Sequence, residues 1–291
     1  MSHDHHHTGN MRRVIIALLL TGSFMVVEVI GGIISGSLAL LADAGHMLTD
    51  TMALALAAVA FHVSRRPADA KLTYGYQRFQ ILAAFVNGLT LLLIVAWILY
   101  EAVDRFMNPT EILGSTMLVV AGIGLAVNIV AFLVLHSGDR DNLNIRGAAL
   151  HVAGDLLGSV AAIIAAIVII QTNWTPIDPI LSVAVALLIL RSAWILVKRS
   201  AHVLLEGAPE WLDLDAMQNQ IISKVPTVVG IHHVHVWGLT PQDLMLTMHV
   251  QLQGAPQNPT ECIRRIKDVL KAEYGIGHTT VEIETEDCAD H

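Results

Sequence analysis

Asp43-Ala44-Gly45-His46-Met47-Leu48-Thr49-Asp50, echoed further on by His151-Val152-Ala153-Gly154-Asp155, is the stretch that decides how this chain is read. Each segment holds an H-x-x-x-D pair inside a long apolar run. On a helix, positions i and i+4 stack on one face with Cβ atoms about 6 Å apart. An imidazole nitrogen and a carboxylate oxygen at that separation can grip one divalent ion. Two such pairs, from two helices, would supply two nitrogens and two oxygens, a tetrahedral set that zinc accepts. Ionisable side chains inside apolar helices are costly and mark an ion or proton path.

The surrounding composition places these pairs in a membrane. The chain has 291 residues, 54% of them hydrophobic and only 14% charged, against about a quarter charged in an ordinary soluble domain. Mean hydropathy is +0.59. The long uncharged runs fall in the first two thirds, and the last third reads like a soluble domain. The expected division is a polar, histidine-rich tail over 1–10, a membrane domain over 11–204 and a globular domain over 205–291. A net charge of −8 argues against a nucleic-acid partner. Cys262 and Cys288 form no C-x-x-C and fit a reducing compartment. The tail, MSHDHHHTGN, reads either as a loose metal-collecting tether or as the remnant of a purification tag.

Six apolar helices are expected, near 14–34, 38–63, 79–102, 113–135, 143–171 and 178–197. Glu28 lies in the first, and Asn128 in the fourth, where a helix–helix hydrogen bond suits it. Asp43, one turn before His46, reads as a residue beside the ligands or lining the outer mouth. Taking the connections on alternate sides, one side collects Arg12, Arg13, Arg65, Arg66, Lys71, Arg78, Arg140, Arg146, Lys198 and Arg199, and the other only Arg105. That asymmetry puts both termini in the cytoplasm. The second and fifth helices then run antiparallel. Their His and Asp lie about 8 and 12 residues in, roughly 12–18 Å deep at 1.5 Å per residue. A shared site at the midplane suits alternating access.

These residues resemble the cation diffusion facilitator family, and within it the bacterial zinc exporters. The likeness is carried by the run from Ser35 to Asp50, by Ala148-Ala149-Leu150-His151-Val152-Ala153-Gly154-Asp155, and by His232-His233-Val234-His235-Val236-Trp237. The resemblance implies a homodimer in the bacterial inner membrane, six helices per protomer, and a cytoplasmic domain of metallochaperone type. It implies export of Zn²⁺ in exchange for protons through His46, Asp50, His151 and Asp155. A histidine at position 46 goes, in this family, with zinc rather than cadmium. Some relatives hold another metal in the connector between the second and third helices. Here that segment, 71–78, has no histidine, and no such site is expected. Arg78 and Glu206 fall where relatives carry a charge interlock between membrane part and cytoplasmic domain.

The last third reads as αββαβ: helix 209–225, strands 229–239 and 244–253 joined at 240–243, helix 259–274 and strand 279–285. The fold class is therefore a membrane all-α six-helix bundle with a C-terminal α+β domain. The family likeness points to His232, His249, His278 and Glu284 as a regulatory metal site there. Strict alternation puts His233 and His235 opposite His232, so the identity of the binding histidines stays open. The tail from Glu286 to His291, which includes Cys288, is a further source of ligands.

A metalloenzyme is disfavoured, because four protein ligands leave no vacancy for water and no H-E-x-x-H occurs. A membrane metal sensor is poorly served by midplane ligands. Within transport, ligand type leaves cadmium, cobalt, nickel, iron and manganese as alternatives to zinc.

Overall fold

The structure, a computed structural model, describes residues 4–64, 66–136, 143–254, 258–285 and 288. At Asp50 and His151 it describes the helix but not the side chain. Six long helices come first: α1 (Asp4–Ser35), α2 (Leu38–Ser64), α3 (Phe79–Met107), α4 (Gly114–His136), α5 (Leu143–Thr172) and α6 (Ile177–Leu204). Among the described residues, Phe79–Met107, Gly114–Val134, Asp155–Thr172 and Ile177–Leu204 are long and apolar enough to cross a membrane, and shorter apolar stretches, Leu19–Ser35 and Leu38–Leu48, lie in α1 and α2. Leu93, Leu157 and Leu188 are 73%, 74% and 73% exposed. In water that would be costly, but against lipid it is not.

The turn between α1 and α2 rests on Gly36, whose φ of +72° suits a residue without Cβ. α1 begins at Asp4, so residues 4–10, expected as an unstructured tail, are helical. Extending an existing helix avoids the cost of nucleating one. α3 and α6 also run past their expected ends, to Met107 and Leu204.

The chain divides into two compact units, Met1–Leu56 with Val86–Leu196, and Ala57–Phe85 with Val197–His291. In the first, α2 sits between two apolar clusters. Ala39, Leu40 and Met47 join Phe24 of α1, Met117 and Val120 of α4 and Ala162, Ala165 and Ala166 of α5. Ala42 joins Leu91, Val95 and Ile98 of α3 and Ala186, Ile189 and Ala193 of α6. The many alanines let the helices approach closely. Asn128 of α4 donates to Ser159 Oγ of α5 at 3.3 Å, the interhelical bond expected of it.

The second unit contains α7 (Leu214–Lys224), β1 (Val228–Gly238), β2 (Leu244–Leu252), α8 (Pro259–Tyr274) and β3 (His278–Glu284), the expected αββαβ order. α7 starts later than Pro209 suggests, because the Asp213 side chain accepts from the Ala216 amide and caps it there. β1 pairs antiparallel with β2, and β2 parallel with β3. Leu246, Met248 and Val250 of β2 bury with Met217 and Ile221 of α7 and Ile266 and Leu270 of α8 to form the core. The opposite face of the sheet, with His249, His232 and Glu284, is left to do something else.

Candidate metal centres

The first centre lies in the membrane helices. His46 on α2 is half-buried, and Asp155 on α5 is 4% exposed. Glu28 on α1 is 2% exposed and hydrogen-bonded to Asp43. A Cβ added at Gly158 would stand 3.3 Å from Asp43 Oδ1. This is a close approach of α2 and α5 that a side chain at 158 would crowd. The start of α2 is bonded to Asp178, six residues past the end of α5, so the two helices run antiparallel. Of the four predicted ligands, His46 and Asp155 are thus placed on facing helices. The side chains of Asp50 and His151 lie outside the described residues.

The second centre lies on the open face of the sheet. Glu284 Oε1 is 2.8 Å from His249 Nδ1, and Glu284 Oε2 is 3.0 Å from His232 Nε2. Three of the four expected cytoplasmic residues are therefore together. His278 is not. It lies six positions before Glu284 along β3, roughly 20 Å at strand rise, and its ring meets Tyr74 edge-on at 6.4 Å. Glu284 is only 8% exposed because the histidines cover it.

Two residues take the place of His278. The register of β1 against β2 shifts between His232 and His235, a β-bulge, and His233 sits there at φ +48°. A bulge breaks the period of two and re-aims a side chain. His233 consequently joins His232 and His249, with ring centroids 5.1 and 4.9 Å away. Strict alternation had put it on the other face. His235 remains exposed. Cys288 completes the group, its Sγ 3.6 Å from His249 Nδ1 and 3.8 Å from His233 Nδ1. The Glu284 carboxyl is held below its ordinary value, first by its hydrogen bond with Cys288, then by that with His249 and by nearby His232, and burial opposes them.

The connector contains Asp69, which accepts from the amides of Lys71 and Leu72 and from the Tyr76 hydroxyl at 2.6 Å. Arg78 stands 3.1 Å from Glu206, the two side chains 33% and 61% exposed. Both belong to the second compact unit. Cys262 is buried in the core and Cys288 lies by the histidines, both as free thiols.

Apolar helices with buried carboxylates and an imidazole, followed by a small domain with a histidine cluster, define a multi-pass membrane protein built to handle metal cations. The model of the cation efflux transmembrane domain matches residues 14–205, and that of the cation efflux protein cytoplasmic domain matches residues 212–286. The chain belongs to the cation efflux, or cation diffusion facilitator, family. It is 52% identical to the zinc transporter ZitB of Pectobacterium atrosepticum, covering 100% of this chain and 91% of that one. It is 43% identical to a cadmium, cobalt and zinc/H(+)-K(+) antiporter of Bacillus velezensis, covering 98% and 92%. Among solved structures it is similar to the metal-bound C-terminal domain of the CzcD transporter from Cuprividus metallidurans. That match has 32% identity and a TM-score of 0.23, over 25% of this chain and 99% of that one.

Proposed function

We propose that this protein exports Zn²⁺ from the bacterial cytoplasm in exchange for protons, as a homodimer in the inner membrane with both termini inside. Residues 11–204 form the transport body and 205–291 the regulatory domain. The ion is held by His46 and Asp50 of α2 and His151 and Asp155 of α5.

The observation that carries this reading is the approach of Asp43 to Gly158. Three residues on from Asp43 is His46, and three back from Gly158 is Asp155. Four further in each direction are Asp50 and His151. In antiparallel helices of equal rise, each of these pairs lies at one level. Both sets also fall on the helix face that carries Asp43 or Gly158. Two neutral imidazoles and two carboxylates make a formally neutral site with Zn²⁺. Metal and protons compete for the same ligand atoms, so an inward proton gradient can drive metal off. The names of the relatives, a zinc transporter and a proton-coupled antiporter, support the ion and the coupling.

In proteoliposomes the protein moves zinc against an imposed pH difference. His46→Ala and Asp155→Ala abolish the flux while leaving helix content and elution volume unchanged. Retained transport in either variant refutes the ligand assignment, and flux insensitive to an uncoupler refutes antiport. The relative named for cadmium and cobalt makes those ions the second reading. Parallel uptake of zinc, cadmium, cobalt and manganese separates the two.

In the cytoplasmic domain, His232, His249 and Glu284 form a regulatory metal site that reports cytosolic metal. Arg78 and Glu206 form the interlock that joins the connector to the end of α6.

A further inference from the structure

His232, His233 and His249 surround a common point, their ring centroids 5.1, 5.5 and 4.9 Å apart in a nearly equilateral triangle. The ligand atoms of these three residues and Cys288 all lie within 4.8 Å of one another. Tetrahedral zinc with bonds of about 2.3 Å to sulfur and 2.05 Å to nitrogen has an S···N edge of roughly 3.6 Å. The two Sγ···Nδ1 separations here are 3.6 and 3.8 Å. Two of the six edges of the coordination tetrahedron thus already have nearly the required length.

Backbone geometry agrees. A non-glycine residue at positive φ is costly, and such strain concentrates at functional sites. Here it falls on His233, whose φ of +48° accompanies the bulge that turns its ring toward the other two. A strand without the bulge would be less strained and would leave the ring on the opposite face.

We infer that His232, His233, His249 and Cys288 form a three-nitrogen, one-sulfur site for a thiophilic divalent cation, zinc or cadmium. This rests on the regulatory-site reading above and names its donor set. Glu284 is the rival fourth donor. Three neutral imidazoles, one thiolate and a dication leave one positive charge, which the nearby Glu284 carboxylate cancels; its Oε1 now bonds His249 Nδ1 at 2.8 Å, the nitrogen turned toward the sulfur, so metal binding there requires that bond to be given up. The Glu282 carboxylate, 3.7 Å from His249 Nε2, lies by the nitrogen that faces away from the sulfur, a common outer partner of a metal-bound imidazole. A thiolate also separates the ions. Sulfur favours zinc and cadmium over manganese and magnesium, which prefer oxygen. The regulatory site would therefore reject hard cations by donor chemistry that the transport helices, with no cysteine, do not possess.

Cobalt(II) titration of the full-length protein in detergent tests this. Expected is a near-ultraviolet sulfur-to-cobalt charge-transfer band that Cys288→Ser removes and Cys262→Ser retains, with cadmium and zinc displacing the cobalt and manganese failing to. No transport ligand carries sulfur, so the band reports on this site alone. Absence of the band in the unaltered protein, or its survival in Cys288→Ser, overturns the thiolate assignment. His249→Ala then decides how much falls with it. If that variant still removes a tetrahedral cobalt, a nitrogen-and-carboxylate site with Glu284 stands. If it removes none, the regulatory-site reading falls as well.

Discussion

The Asp178 carboxylate accepts the Ser37 hydroxyl at 2.5 Å and, through its other oxygen, the Leu38 amide at 2.7 Å. The first oxygen also takes the Ala39 amide at 3.2 Å. A residue on α6 thereby caps the first turn of α2, the helix that carries His46. Amides without an intrahelical partner at a buried helix start need such an acceptor. The aspartate is fully buried, so the cap is fixed in place as well as satisfied. Asp178→Ala strands three donors, an expected loss of about 1–3 kcal/mol. Its melting temperature in detergent should fall and zinc flux with it. Asp178→Asn keeps a carbonyl acceptor and should fall in between. An unchanged melt for the alanine variant would show that the cap does not hold α2.

Helix spacing around His46 and Asp155 depends on two glycines of different tolerance. A Cβ at Gly124 would meet the Phe24 ring at 2.6 Å, inside any real contact, whereas one at Gly158 would meet Asp43 Oδ1 at 3.3 Å. Phe24 belongs to the apolar cluster that joins α1, α4 and α5. Gly124→Ala should therefore overpack this cluster and cost roughly 1–3 kcal/mol. Gly158→Ala asks only that Asp43 give by a few tenths of an ångström. Its stability should be nearly unchanged, and any effect should appear in zinc flux. Melting and flux measured on both variants test the contrast. The reverse order of stability would refute the packing described.

Much of this architecture was legible in the sequence because its signals were periodic. Six apolar runs, interrupted by basic connectors, gave six helices to within a few residues except where α1 extended into the tail and α3 and α6 ran on. The αββαβ order followed from the alternation of the strand runs and from the helical runs 209–225 and 259–274, whereas the Asp213 cap that starts α7 was not singled out. The cytoplasmic cluster was only half legible. His232, His249 and Glu284 were anticipated, but a β-bulge has no strong signature in one sequence. Without it, His233 counts onto the wrong face. Cys288 lies beyond the last strand, where no period constrains it. His278 was named on the family likeness, and the strand carries it away toward Tyr74.

The connector is fastened by Asp69, and its pH range follows from the direction of two shifts. The bond from Tyr76 holds the Asp69 carboxyl below its ordinary 3.8, with the Leu72 and Lys71 amides helping. A lowered acid contributes stability that is full above its ordinary value and is lost as pH falls through the depressed one. The same bond raises the Tyr76 hydroxyl above its ordinary 10.0, so that contribution is full below 10.0 and is lost as pH rises through the raised value. From about pH 5 to 9 neither group titrates, and the connector should keep one conformation across that range. Tryptic cleavage at the exposed Lys71 should be constant over the part of that range where the protease itself is active, and faster in Asp69→Ala. Cleavage of the unaltered protein that changes sharply between pH 6 and 8 would make the connector a proton-responsive element.

The Arg78–Glu206 pair invites more credit than its exposure allows. At 3.1 Å the contact is direct, but its two side chains are 33% and 61% exposed. Exposed ion pairs contribute about 0–1 kcal/mol. If the pair acts only through stability, Arg78→Ala and Glu206→Ala should shift the melt by less than that and leave flux intact. If it is the interlock proposed above, flux should fall in both single variants at nearly unchanged melting temperature. The charge-swapped double variant, Arg78→Glu with Glu206→Arg, should then recover part of what each reversal loses. Glu206 adds one complication, because it sits at φ +61°. Any replacement other than asparagine, aspartate or glycine inherits the strain already present there, so the arginine exchange tests charge at constant backbone cost. A double variant no better than either single one would show that the two residues act separately, and the interlock would have to be abandoned.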